Sequence, residues 1–503
     1  MPAAKQIRVT PTHRVAYDAV PLLTIFTVLV MLIPARWVVP GLGAAGRPAS
    51  LFAIGLFVLW CFLRLLPDVR TEKAIWRWVL FIDGAVVAIT YALAHDRGLT
   101  SAESLSADRA ILTLVATAGV VLMASEGLPS RAHVDRLTKR ITYIAGAVAA
   151  IGLFQFVTKL DPYGNIRFPG LSLNTEIANL STRGSNDLVR VKSSMDHPIE
   201  FAVTMALVLP LSIHHALHEL NQTLRRRRFA LASLIFSASL LAVSRTAVLA
   251  VGVSAGVLLW AWSARTRWRA LGAAMAMLVV LRALVPGLFG TMFSLFTNWS
   301  TDASVTGRTE DYGVVGGYVG ERPWFGRGVG TFLPDQYQVL DNAYLQRTVT
   351  TGYLGLSTLV LIFATGAMLA LVAAKTSATN QARHHSVALL ATFGVAAATC
   401  ATFDFFFFPA ATATLNLSLG SIAALGKHRA SIEPQGLTIV PEPVLLRPSL
   451  RAELTRRPWW HRFDPDLGAE LVSRGLFHNY ARRPASRRQA SMSATSTPAR
   501  SRS

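Results

Sequence analysis

Apolar runs of about 17–25 residues recur between Val20 and Leu425, and each is long enough for a helix to cross a bilayer. The runs lack the alternation of barrel strands. A lipid-embedded segment must also satisfy its own backbone hydrogen bonds, so they read as helices. Composition agrees, with 52% hydrophobic and 15% charged residues, far from an ordinary soluble domain. Candidate spans lie at 19–34, 50–66, 76–94, 110–126, 141–158, 197–213, 229–243, 247–263, 270–291, 352–374, 386–403 and 409–426. The expected fold is all-α: a polytopic integral membrane helix bundle of about 12 spans. The first run follows a short basic segment and continues into "PARWVVPGLG", without a small-residue cleavage site. It is therefore expected to be a retained span and not a signal peptide.

The net charge of +21 would suit nucleic acid, but its distribution does not. Lys5, Arg8 and Arg14 precede the first run, and Arg64, Arg70, Lys73 and Arg77 follow the second. Arg131, Arg136, Lys139 and Arg140 follow the fourth, and Arg225 to Arg228 the sixth. Arg265, Arg267 and Arg269 follow the eighth, Lys375 and Arg383 the tenth, Lys427 and Arg429 the twelfth. Every second connection is basic, as the positive-inside rule requires of a membrane protein. The charge thus reads as a topology signal, with both termini cytoplasmic and no nucleic acid among the partners.

Three parts follow: a cytoplasmic N-terminus at 1–18, a membrane domain at 19–426 and a tail at 427–503. The tail is rich in proline and arginine and reads as disordered and cytoplasmic. Its "RRPWWHRF" could touch anionic headgroups or simply be solvated. Two outer connections are long, 159–196 and 291–351, and loops of that kind are where an extracytoplasmic site is built. Cys61 and Cys400 fall inside apolar runs and read as buried hydrophobes. No Cys/His spacing suggests a zinc site, and His214, His215 and His218, beside four arginines, read as solvated cytoplasmic surface.

Several polar residues stand out against this frame. Phe229 to Trp262 is nearly continuously apolar and broken only by "SRT" at Ser244–Thr246. As one helix it would be about 51 Å long, against a hydrocarbon core of about 30 Å. A tight hairpin is expected instead, with Arg245 at a slightly sunken outer turn, where it faces a protein interior or snorkels to headgroups. In the first long loop Arg190 and Lys192 precede "DHP", where Asp196 suits an N-cap and Pro198 a first turn. In the second, Thr309–Val319 suits an amphipathic surface helix, with Glu310 and Asp311 in its first turn and Arg308 at its N-terminal end. "GERPWFGRGVGTF" reads as a glycine-rich turn segment on which a sugar chain could lie. Outer-side arginines suit an anionic ligand, because a guanidinium pairs bidentately with phosphate oxygens and keeps its charge. A lipid-linked diphosphate fits such an interface.

In order, the chain carries "DHPIEFAVTMALVLPL", "SRTAVLAVGVSAGVL", "GRTEDYGVVGGYVGERPWFGRGVGTF" and "DNAYLQRTVTTGYLGL". Over about residues 186–360 this series resembles the O-antigen ligase and O-antigen polymerase superfamily of bacterial envelope enzymes. The resemblance implies a C-type glycosyltransferase-like membrane protein of the bacterial plasma membrane with an outward-facing site. It implies transfer of a glycan from undecaprenyl diphosphate to an acceptor hydroxyl, with arginines on the diphosphate and neither metal nor cofactor. The acceptor is lipid A–core in ligases and another lipid-linked repeat unit in polymerases. Membrane lipids, and other polysaccharide-assembly proteins of the envelope, are the remaining candidate partners.

Carried onto this chain, Arg245 matches the arginine of the "SR" turn and Arg308 that of the "GR" motif, with Arg190 a looser match. Many relatives carry "HN" where this chain has Asp341–Asn342. Asp341 can serve as general base, cap the tenth span or pair with an arginine. Arg190, Lys192, Asn342 and Tyr344 are candidate substrate-binding residues, the last two equally suited to local packing. Asp404 is another outer-end acid, within an aromatic belt. The missing histidine favours a polymerase or a divergent exopolysaccharide enzyme over a ligase. A transporter of lipid-linked sugar would use the same cations but should show broken helices, and a non-catalytic scaffold would use the loops alone.

Overall fold

The structure, a computed structural model, describes residues 17–66, 74–175, 180–183, 188–297 and 303–427, without the side chains of 183, 295, 303–310 and 427. Most of the expected N-terminal segment and nearly all of the expected tail lie outside the described residues.

A helix falls on each expected span. They are α1 (Val20–Leu32), α2 (Pro48–Leu65), α3 (Ile75–Asp96), α4 (Ser101–Glu126), α5 (Arg131–Thr158) and α6 (Pro198–Leu217). There follow α7 (Gln222–Leu241), α8 (Arg245–Ala261), α9 (Ala264–Leu284), α10 (Leu288–Thr297) and α11 (Ala303–Glu321). The last are α12 (Ala343–Thr376), α13 (Asn380–Cys400) and α14 (Pro409–Lys427). Six of these, α2 to α6 and α12, are long and apolar enough to cross a membrane by length and composition. The chain is thus an all-helical multi-pass protein. Helices α1 and α8 are apolar but shorter, and α9 turns into α10 through 105°. Polar first turns dilute α7, which begins "QTLRRRR", and α13, which begins "NQARHH".

Helix α6 is the axis of the bundle. It packs against α5, α7, α8, α13 and α14, and 89% of its apolar window is buried against 11% for α2 at the periphery. That contrast follows from sequence: α6 carries small and branched residues on every side, as a helix surrounded by protein should. The expected hairpin is present. Helices α7 and α8 part at Ala242–Ser244, where Val243 adopts φ 48°. A β-branched residue in the left-handed region is strained, and the buried surroundings of Val243 hold it there.

Helix α12 is broken within its first third. Gly352 has φ 66° and ψ −169°, and the segment after α11 docks on the break. Arg327 and Gly328 donate backbone N–H bonds to Val349 and Thr350 at 2.8 and 2.9 Å, and Tyr353 donates to Pro323 at 2.8 Å. A Cβ on Gly352 would come within 2.3 Å of the Trp324 backbone, and one on Gly326 within 2.5 Å of the Val349 carbonyl. The glycine-rich segment read as a bed for a sugar chain therefore has a different use. Its bare backbone lets a loop seat directly on an opened helix.

Candidate functional site

The first long loop, the α7–α8 turn, the entry to α12 and the α13–α14 connection meet at one end of the bundle. Gln155 of α5 organises the first loop. Its amide donates to the Ser193 carbonyl and to Asp161, both at 3.0 Å, and accepts from the Ser193 and Lys192 N–H groups at 2.7 and 3.3 Å. Ser193 sits at φ 54° with its hydroxyl on the Val148 carbonyl at 2.7 Å. This fixes the chain that carries the cations.

Arg190, half-buried, donates from Nε to the Ala242 carbonyl at 3.3 Å. The loop and the "SR" turn are thereby tied together, with Arg245 opening α8 three residues on. Lys192 is buried and its ammonium lies 3.6 Å from Asp161. Burial lowers its pKa and Asp161 pulls it back up. Asp196 is not the cap of α6. His197 holds that position, accepting from the Ile199 N–H at 3.1 Å, while Asp196 pairs with buried Arg36 at 3.2 Å. Burial also lowers the His197 pKa, with Arg190 pushing the same way and Asp341 opposing it. Arg190, Lys192, His197 and Asp341 thus share one electrostatic neighbourhood.

The strip that opens α12 divides its labour. Asn342 is the N-cap, accepting from the Tyr344 and Leu345 N–H groups at 3.0 and 3.2 Å. The Tyr344 hydroxyl donates to the Ala397 carbonyl at 2.7 Å. Both residues make the local contacts that were the alternative to sugar binding, and the capping role is filled without Asp341. Gln346 and Arg347 line a cavity of about 450 Å³ between α2, α3, α4, α12 and α14, together with Arg47, Asp83, Arg109 and Asp404. Arg347 pairs with Asp83 of α3 and reaches the Gly355 carbonyl at 3.1 Å. The Nε atoms of Arg47 and Arg109 are buried there without a hydrogen-bond partner among the described residues.

Asp404 joins the two regions, lining the cavity and interacting with Asp341. Burial raises its carboxyl from 3.8 to about 7, and Asp341 pushes it the same way. A raised carboxyl favours the fold while it is neutral. Its stabilisation is whole below about pH 4 and is lost as pH rises through about 7. Asp404→Asn should therefore melt like the wild type only below about pH 4, and increasingly above it as pH rises from there towards 8. Thermal unfolding in detergent across that range checks this; parallel curves would show that Asp404 is not held neutral.

Arg308 lies in α11, and its side chain is outside the described residues. The helix expected at Thr309–Val319 begins earlier, at Ala303, so Glu310 and Asp311 are mid-helix and not at the dipole's positive end. Asp311 is instead buried and accepts a hydrogen bond from Gln338. Arg36, Arg47 and Arg109 were missed by the sequence reading. Their signal was available: arginines on connections that alternate with the basic ones break the charge rule.

Two of the three histidines read as solvated surface are buried, and His218 is half-buried. His214 and His215 are buried at 0% and 3% exposure, at the far end of α6. They stack against His384 and His385 of α13.

Residues 230–360 match the family model described as O-antigen ligase. The match takes in Arg245, Arg308 and Asp341–Tyr344, and stops short of Arg190, Lys192 and Asp404. No curated protein matches the chain.

Proposed function

We propose that this chain, a member of the O-antigen ligase and O-antigen polymerase superfamily by the match over residues 230–360, polymerises lipid-linked glycan repeat units at the outer face of the bacterial plasma membrane. The donor is a glycan on undecaprenyl diphosphate, and the acceptor is a sugar hydroxyl of another lipid-linked unit. Arg245 and Arg308 stabilise the charge that grows on the departing diphosphate, a preorganised electrostatic contribution that needs no metal. Arg190, tied to the "SR" turn through Ala242, extends the same positive surface, and Lys192 supports it from behind. Asp341 takes the proton of the attacking hydroxyl. Its neighbour Asp404, neutral up to about 7, divides the roles of two carboxyls in the way that acid–base sites commonly do. Asn342 and Tyr344 hold Asp341 in position through the helix start they build. The topology that goes with this reading has about 12 spans and cytoplasmic termini.

The observation that carries the reading is the convergence of Arg190, the "SR" turn, His197 and Asp341 on one end of the bundle. Attachment of finished polymer to lipid A–core is the alternative within the family. Transport of the lipid-linked sugar draws on the break of α12 at Gly352, since transporters build sites from interrupted helices. Glycan profiling of a deletion strain separates the three. Single repeat units left on the outer-leaflet carrier are expected. Complete polymer never joined to its acceptor would mean ligation, and units trapped on the cytoplasmic leaflet would mean transport. Asp341→Asn should reproduce the deletion at normal protein level, and normal chain length in that variant would remove Asp341 as base.

A further inference from the structure

The end of the bundle opposite the candidate site holds five histidines, two in the last turn of α6, one at its C-cap and two on α13, beside Asp135 and Thr138 of α5 and Trp262 at the end of α8. Hydrogen-bond direction assigns the ring protons. An indole N–H only donates, so the 2.6 Å contact of Trp262 Nε1 with His384 Nε2 makes that nitrogen an acceptor. His384 then carries its proton on Nδ1 and donates to His214 Nδ1 at 3.1 Å. His214 is left with a proton on Nε2, which is buried and has no hydrogen-bond partner among the described residues. On the other side, with the Thr138 hydroxyl proton on the Val134 carbonyl at 3.0 Å, Thr138 Oγ1 is left to accept from His215 Nε2 at 3.0 Å and from His385 Nε2 at 3.3 Å.

The lone pair of His215 Nδ1 consequently faces Asp135 Oδ1 across 3.6 Å. Two electron-rich atoms so placed call for positive charge between them. Their separation is close to the ligand-to-ligand edge of a tetrahedral site with bonds of about 2.0–2.2 Å. One ligand atom from each of Asp135, His214 and His215 falls within 4.8 Å of the others. Lys139 holds the second oxygen of Asp135 at 2.5 Å, leaving Oδ1 to the histidines. The donor to Thr138 is the outer contact that a metal-binding imidazole needs on its other nitrogen. A cavity of about 470 Å³ lined by Asp135, His215 and His218 gives a way in.

We propose that Asp135, His214 and His215 bind one divalent first-row transition-metal ion of the zinc class, which clamps α5 to α6 at the end remote from glycan transfer. Two imidazoles and a carboxylate suit such ions and leave a position for water. Binding through His214 Nε2 moves that ring's proton to Nδ1 and the His384 proton to Nε2. No net proton is released, and Trp262 must let go of His384, because two N–H groups cannot face each other there.

The test uses the full-length chain without a polyhistidine tag, purified in detergent, stripped with chelator and given zinc. About one retained zinc per chain is expected after desalting, with a raised melting temperature. His215→Asn and Asp135→Asn should each lose the metal and the zinc-dependent rise in melting temperature. Trp262→Phe, which removes the competing donor, should keep the ion and bind it several-fold more tightly. No stoichiometric zinc on the wild type, or equal retention by both site variants, would overturn the proposal. A melting curve of each metal-free variant that superposes on the metal-free wild type excludes misfolding as the cause of loss.

Discussion

Replacing Arg245 by alanine is expected to abolish glycan transfer while leaving the chain folded and inserted. The expected fall in turnover is about 10²–10³-fold, the usual consequence of removing one preorganised group from a developing anion. The fold should tolerate the change. Arg245 is the first residue of α8, Ser244 before it carries the extended cap geometry, and the turn itself is held by buried Val243. Alanine is moreover the best helix former for the position. Lysine should restore only part of the rate, because it keeps the charge but not the planar fork that matches a diphosphate. Arg308→Ala should give the same phenotype, and the double variant should be little worse than either, since groups acting on one leaving group are not additive. Polymer formation from lipid-linked units in proteoliposomes, at matched protein level, measures this. A wild-type rate in Arg245→Ala would end the diphosphate-clamp reading.

Legibility of the chain differed between its two scales. Helices were readable because membrane spans declare themselves by length and apolarity, and the break at "SRT" because an unbroken run would overshoot the bilayer. What failed were inferences about ends. Asp196 suits an N-cap by type, yet His197 takes that role because Arg36, more than a hundred residues away, claims the carboxylate. The histidines beside four arginines look solvated in sequence, and only the packing of α6 against α13 buries His214 and His215. The pattern "HHALH" followed far downstream by "HH" was the available signal, but nothing local in it tells which pair of helices will meet. Candidate site residues such as Arg190, Arg245 and Asp341 were singled out from motif order, which constrains a topology but assigns no chemistry. The cavity arginines and the Asp83–Arg347 pair were not, because an acid in one span and a base in another carry no shared spacing.

That pair supports the second large expected effect. Arg347→Leu should destabilise the protein by about 3–5 kcal/mol, the cost of leaving a buried charge without its partner. Asp83 and Arg347 expose 8% and 20% of their side chains, and among the described residues Asp83 would keep the hydrogen bond from the Thr358 hydroxyl at 2.6 Å, which carries no compensating charge. Desolvation, which both ions already suffer in the pair, then falls on one uncompensated carboxylate. Asp83→Leu combined with Arg347→Leu should recover most of the loss, because an apolar pair of similar volume removes the desolvation cost together with the attraction. Thermal unfolding of the three variants in detergent measures this, and a single variant as stable as the wild type would show that the pair contributes nothing. The double variant also separates support from chemistry. Arg347 lines the same cavity as Arg47, Arg109 and Asp404. If stability returns and transfer does not, the guanidinium acts on the ligand; if both return, its work is to hold α3 against α12.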